Sequence, residues 1–146
     1  MCIRDRTFAA VKDQGATLNS QPIRTSGQTD LRQTMAMASL PVGAGADDPA
    51  VGRFLKMLAQ LQTVQRSGSS AMNLACLASG RIDAFWSSSL KPWDVAAGEL
   101  IVREAGGTVT KLTGEAHDIM TPSTLASAST DLQDKLVSRL DDGSSC

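Results

Sequence analysis

Apolar positions along the chain alternate between helical and strand-like spacing, and the changes of spacing mark its elements. Val51, Phe54, Leu55, Leu58 and Leu61 recur at helical intervals, which predicts an amphipathic helix with one buried face. Asp47 or Asp48 is placed to cap that helix, and Pro49 falls at its first position, where a missing N–H costs nothing. A second helix is expected to open at Gly68-Ser69-Ser70 and run through Met72, Leu74, Ala75 and Ala78 to a closing Gly80. A third is expected from Val95 to Ala105, stopped by Gly106-Gly107. In the fourth, Thr130 and Gln133 have the spacing of a capping box, and Leu132, Leu136, Val137 and Leu140 form the apolar stripe.

Between these helices lie short β-prone runs: Met35 to Ala38, Thr63 to Gln65, Ile82 to Trp86 and Thr108 to Leu112. The stretch up to Ser26 is polar and punctuated by Gly15, Asn19 and Pro22, so it reads as a short hairpin or loop. Helices alternating with strands predict a layered α/β sandwich, and no linker or internal repeat divides it. The tail 141–146 is expected to fray.

Composition narrows the functional classes. The chain has 146 residues, enough to bury a core, with 42% hydrophobic and 20% charged residues. A net charge of −1 gives no overall electrostatic case for nucleic acid or an anionic membrane. Two tryptophans, three phenylalanines and no tyrosine argue against a base-stacking surface. Cys2, Cys76 and Cys146 are odd in number and far apart, which disfavours a disulfide framework or a zinc site; Cys76 reads as a small buried hydrophobe. With no signal-peptide run and no apolar stretch near the ~20 residues of a membrane span, a cytoplasmic protein without membrane association is expected.

The segment from Leu90 to Gly107 carries the most chemical information. Asp94 opens a helix, at the positive end of its dipole, and the small residues Ala96, Ala97 and Gly98 allow close approach. Asp94 reads as a helix cap or as a carboxylate facing a hard cation, and the two are compatible because a carboxylate has two oxygens. Gly68, Ser69 and Ser70 read as a simple cap or as an anion loop of free N–H groups at a helix start. His117, the single histidine, reads as a surface-loop residue. Glu99 and Glu104 are expected to be solvated or paired with Arg103 or Lys111, and Asp83 to hold a turn.

Trp93-Asp94, Ala96-Ala97-Gly98, an aliphatic run and Glu104-Ala105-Gly106-Gly107 together resemble the C-terminal signature of the inositol monophosphatase family. Gly68 to Leu74 and Ala78 to Phe85 resemble the family's substrate-loop helix and following strand, and Gly15 to Ile23 is similar to a family hairpin. The likeness runs from Phe8 to Leu140, leaving residues 1–7 as a start that does not match and suggesting a truncated or artificial beginning. The resemblance implies the C-terminal portion of the inositol monophosphatase and fructose-bisphosphatase-like α/β fold, with a mixed sheet. It implies Mg²⁺-dependent hydrolysis of a small phosphate monoester by a metal-activated water, in a full-length parent that is a homodimer. Asp94 then matches a metal ligand, and Gly68, Ser69 and Ser70 match the substrate loop. Ser87 falls where members acting on inositol phosphates carry a glutamate. Because Ser87 cannot supply a charged acceptor, histidinol phosphate, a sugar phosphate or a nucleotide bisphosphate stands as an alternative substrate, and a non-catalytic α/β module as a third reading. Lys91 is either at the pocket rim or a solvated loop residue.

The resemblance also implies ligands that the sequence lacks. The family builds its metal site mainly from an upstream Glu and an Asp-Pro-Leu/Ile-Asp-Gly-Thr motif. Here Asp48-Pro49-Ala50 continues differently, and Asp141-Asp142-Gly143-Ser144 lies at the other end. The expectation is a chain that is inactive alone, with its general base elsewhere and with exposed apolar surface.

Overall fold

The computed structural model describes residues 5–140; the predicted tail lies outside the described residues. Strands β1 (Phe8–Val11), β2 (Gly15–Leu18) and β3 (Gln21–Pro22) form a small antiparallel sheet where a hairpin or loop was expected. The larger sheet uses β4 (Met35–Ser39), β5 (Thr63–Gln65), β6 (Ala84–Ser87), β7 (Thr108–Thr110) and β8 (Thr124–Ser127) in the order β5-β4-β6-β8-β7. β4 is parallel to both β5 and β6, whereas β8 runs antiparallel between β6 and β7. The helices are α1 (Pro49–Leu58), α2 (Ser70–Ala78), α3 (Pro92–Glu104) and α4 (Thr130–Leu140).

Side-chain alternation along the strands assigns the layers. In β6, Phe85 faces a core shared with Leu74 and Leu77 of α2 and Val95 and Val102 of α3. Its neighbours Ala84 and Trp86 face the opposite core, with Met57 of α1 and Leu132, Leu136 and Leu140 of α4. Because successive strand residues point to opposite faces, one four-residue strand buried on both sides anchors both cores. The small sheet lies against α3, so the order of layers is small sheet, α2 and α3, large sheet, α1 and α4. This is the expected α/β sandwich. Helix α2 (Ser-Ala-Met-Asn-Leu-Ala-Cys-Leu-Ala) packs on α3 and β6 and buries Asn73, Leu74, Ala75, Leu77 and Ala78 there.

Four local expectations are corrected. The inward stripe of α1 is the buried Ala50 and Met57 with the half-buried Phe54, continued by Leu61, while Leu55 and Leu58 are 60% and 47% exposed. Both stripes have helical spacing, and only one can face the sheet. The Thr130–Gln133 capping box does not form: Ser129 Oγ accepts from the Leu132 N–H, and Gln133 turns inward to donate to Leu125 O and Thr110 Oγ1. β8 is absent from the sequence reading, although it fills the space between β6 and β7. Helix α3 begins at Pro92 rather than at Val95.

Asp48 does cap α1, accepting from the Ala50 N–H at 2.8 Å. Asp83 is structural, but it ties its turn to distant segments rather than closing it, accepting from Ser26 Oγ and from the Met35 N–H. No helix among the described residues is long and apolar enough to cross a membrane.

Candidate phosphate site

The three mutually parallel strands β4, β5 and β6 deliver their carboxyl ends to one edge of the sheet. Ser39 ends β4, Arg66 follows β5, and Ser89 lies just beyond β6. The chain then turns into α2 and α3, whose N-termini arrive at the same edge. In open α/β sheets this edge is where ligands bind. A cleft of about 350 Å³ lies there, lined by Ser39, Arg66, Gly68, Ser69, Ser70 and Asp94, among others. Asp94 and the serine loop therefore share one cavity.

Each wall has a local cause. Ser69 is the N-cap of α2, its hydroxyl accepting from the Met72 N–H at 3.4 Å. Gly68 sits at φ +81°, a left-handed conformation that side chains disfavour. With Met72 N–H capped by the Ser69 side chain, the Ser70 and Ala71 N–H groups of the first turn have no acceptor within the helix. Ser70 Oγ lies 3.4 Å from Ser39 Oγ, which ties α2 to the end of β4. Free N–H groups and the helix dipole favour an anion at this end.

Asp94 occupies the third position of α3, not the cap. One oxygen, Oδ2, accepts from the Lys91 N–H at 3.0 Å, closing the turn before the helix. Its other oxygen has no hydrogen-bond partner among the described residues, so one lone-pair-bearing atom remains for a ligand. Trp93 beside it is 80% exposed.

Ser87 is brought close to the cleft but not into its wall. It is fully buried at the end of β6, in register with Ser39 of β4 and Thr124 of β8, and its Oγ accepts from the Ser89 N–H at 3.3 Å. Ser89, two residues on, lines the cleft instead. Lys91 is exposed and does not line it. Sequence reasoning missed Arg66, Ser39 and Ser89, because their convergence depends on strand order. A second, larger groove of about 510 Å³ shares Ser69 and Ala71 with the first and is lined by Phe8, Met72, Ala75 and Ile101.

The remaining acidic and basic candidates lie elsewhere. His117 is not a surface residue: its side chain is 0% exposed, Nε2 lies 3.0 Å from Thr124 Oγ1, and Nδ1 lies 2.9 Å from Glu99 Oε2. That Nδ1 contact has the distance of an ion pair without the alignment of a hydrogen bond. Glu99 also pairs with Arg103, as expected. Glu104 pairs with neither Arg103 nor Lys111. It accepts from the Asp13 and Gly15 N–H groups, both at 2.9 Å, and these bonds hold its carboxyl below the usual carboxylate range.

Magnesium prefers six oxygen ligands in octahedral geometry. Among the described residues, Asp94 is the one carboxylate in the cleft wall, and no cluster of three or more His, Cys, Asp or Glu side chains forms. These residues alone do not fit that ion.

Known proteins share both the sequence and the fold. A model of the inositol monophosphatase family matches residues 1–145. The Nus factor SuhB of Salmonella typhimurium is 38% identical over 125 residues, covering 85% of this chain and 47% of the relative. An inositol-1-monophosphatase of Caulobacter vibrioides is 33% identical over 143 residues, covering 94% of this chain and 55% of the relative. The solved inositol monophosphatase of Anabaena superposes with a TM-score of 0.85 at 33% identity, over 93% of this chain and 54% of the other. The chain thus spans about half the length of the curated relatives it matches. By this match over nearly all its residues, the chain belongs to the inositol monophosphatase family.

Proposed function

We propose that this unit forms one wall of a phosphomonoesterase site. Gly68, Ser69, Ser70 and the first-turn N–H groups of α2 hold the phosphate of a small phosphorylated substrate. Asp94 contributes one oxygen to a Mg²⁺ set whose other ligands come from polypeptide beyond these 146 residues. The observation that carries the reading is that Asp94 and the serine loop line one cleft at the carboxyl edge of the sheet. Hydrolysis of the phosphate monoester, and the base that activates water for it, belong to the completed site and to no residue named here.

Substrate identity turns on the region after β6. With Ser87 buried and uncharged, inositol monophosphate lacks the acidic partner that the family resemblance associates with it. A sugar phosphate, histidinol phosphate or a nucleotide bisphosphate is then an alternative. Ser39 and Ser89, with the exposed Arg66, suit a polar ligand of this kind.

With a single carboxylate among the described residues of the cleft wall, the isolated chain is expected to have no phosphatase turnover. Phosphate release from p-nitrophenyl phosphate with Mg²⁺, read by malachite green, should stay at the buffer level. Sustained turnover by the purified chain would mean that it assembles a complete metal site and would overturn this part of the proposal.

A second reading, a non-catalytic binding module, is favoured by the same lone carboxylate and by relatives that carry the name Nus factor. It separates from the first by phosphate affinity, since a module without a substrate site has no reason to bind phosphate in this cleft.

A further inference from the structure

Asn73 is out of place among its neighbours. It lies in the first half of α2 beside the buried Leu74 and Ala75, and is itself only 2% exposed. Its Nδ2 has no hydrogen-bond partner among the described residues, and an unpaired buried donor disfavours the folded state. An aliphatic side chain of similar volume would avoid that cost, so stability does not explain an asparagine here.

The other end of its amide does explain it. Oδ1 accepts from Ser67 Oγ at 2.6 Å, and Ser67 Oγ accepts in turn from the Ser69 N–H at 3.2 Å. The relay runs from a buried helical residue, through an exposed hydroxyl, to the peptide joining Gly68 and Ser69. That peptide follows a residue held at φ +81°, with nothing within 4 Å of where a Cβ would stand. Position 68 borders open space, and the hydrogen bonds of Ser67 and Ser69 hold the loop on either side of it.

We infer that Asn73 is a positioning residue for the phosphate loop, acting through Ser67 to set the Gly68–Ser69 peptide so that the Ser70 and Ala71 N–H groups converge on the cleft. The inference rests on the reading of that cleft as a phosphate site. Asn73 touches no ligand itself. Its buried position gives the relay a rigid base, and Ser67 carries that rigidity to the exposed loop. Loss of either partner frees the peptide to rotate while leaving the helix and its core intact.

The test uses the whole 146-residue chain, a ¹H–¹⁵N titration with inorganic phosphate, and the Gly68, Ser69, Ser70 and Ala71 amides as reporters. Ser67→Ala and Asn73→Leu should each weaken phosphate binding by about fivefold, the equivalent of one modest hydrogen bond, and Ser67→Thr should restore it. Ser67→Ala also strips the buried Asn73 Oδ1 of its donor, so its melting temperature should fall, and titrations run well below that temperature compare folded proteins, which separates positioning from a structural loss. Should Asn73→Leu fail to fold, the Ser67 pair decides alone. Wild-type phosphate affinity in Ser67→Ala would overturn the inference while leaving the phosphate site standing. Absence of phosphate shifts at these amides in the wild-type chain would overturn the site and the inference with it.

Discussion

Gly98 of α3 lies directly against Leu74 of α2: a Cβ at position 98 would come within 2.5 Å of Leu74 Cδ1 and 2.7 Å of Leu74 Cβ. The small run Ala96-Ala97-Gly98 therefore serves close helix approach at its third member, whereas Ala96 and Ala97 are exposed. Leu74 is fully buried and has little room to retreat. Gly98→Ala should destabilise the chain by about 1–3 kcal/mol through overpacking, in spite of the better helix propensity of alanine. Urea unfolding monitored by circular dichroism measures it; an unchanged midpoint would mean that α2 and α3 are further apart than described.

The two apolar stripes of α1 predict opposite outcomes. Met57 is completely buried, and Met57→Ala should cost about 2–5 kcal/mol. Leu58, at 47% exposed, faces away from the sheet, and Leu58→Glu should change stability by less than about 0.5 kcal/mol. The same substitution removes exposed apolar surface, so binding of a hydrophobic dye should fall. Thermal unfolding of the two variants side by side decides which stripe is inside.

Glu104 links α3 to the β1–β2 turn by accepting from the Asp13 and Gly15 N–H groups. These bonds favour its charged form, so its folded pKa lies below the ordinary value of 4.5. A depressed carboxylate pKa contributes stability that is complete above the unfolded value and is lost as pH falls through the folded one. Glu104→Gln should therefore be less stable than wild type at pH 7, and the gap should narrow on acidification below pH 4.5. Denaturation curves at stepped pH measure the gap; a constant difference would contradict the assignment.

His117 braces the loop before β8 against α3 and Thr124. The same loop holds the segment before Asp94, since Pro122 O accepts from the Leu90 N–H at 3.2 Å. His117→Ala should destabilise the chain by about 1–3 kcal/mol, because it leaves Glu99 and Thr124 with one partner fewer in a buried setting. Faster hydrogen exchange at the Leu90 amide should accompany the loss; unchanged exchange would show that the brace does not reach the site.

Local chemistry made the helices legible in the sequence. Asp48-Pro49 marked the start of α1, and Ser69 marked that of α2. Where two readings shared a spacing, the sequence could not choose between them. The expected face of α1 ran Val51, Phe54, Leu55, Leu58 and Leu61 together, and packing keeps Phe54 and Leu61 of these inward, beside Met57. β8 escaped notice because Thr-Leu-Ala-Ser has little intrinsic strand preference and gains its place from neighbours on both edges. Gln133 was misread for a related reason, since a capping residue and a buried amide look alike until Thr110 and Leu125 come near. Of the cleft's lining, Asp94 and Gly68 to Ser70 could be named from the sequence because they sit in contiguous segments. Ser39, Arg66 and Ser89 come from three separate strand ends and needed the topology.

The central claim is that Asp94 faces the same space in which the serine loop holds an anion. Isothermal titration of inorganic phosphate in metal-free buffer tests it with the wild-type chain and Asp94→Asn. Without a cation between them, the carboxylate repels the phosphate, so Asp94→Asn should bind it about threefold to tenfold more tightly, the range Coulomb repulsion allows across a solvated cleft. Equal affinities in the two proteins, or weaker binding by Asp94→Asn, would place the carboxylate and the anion in different environments and contradict the account.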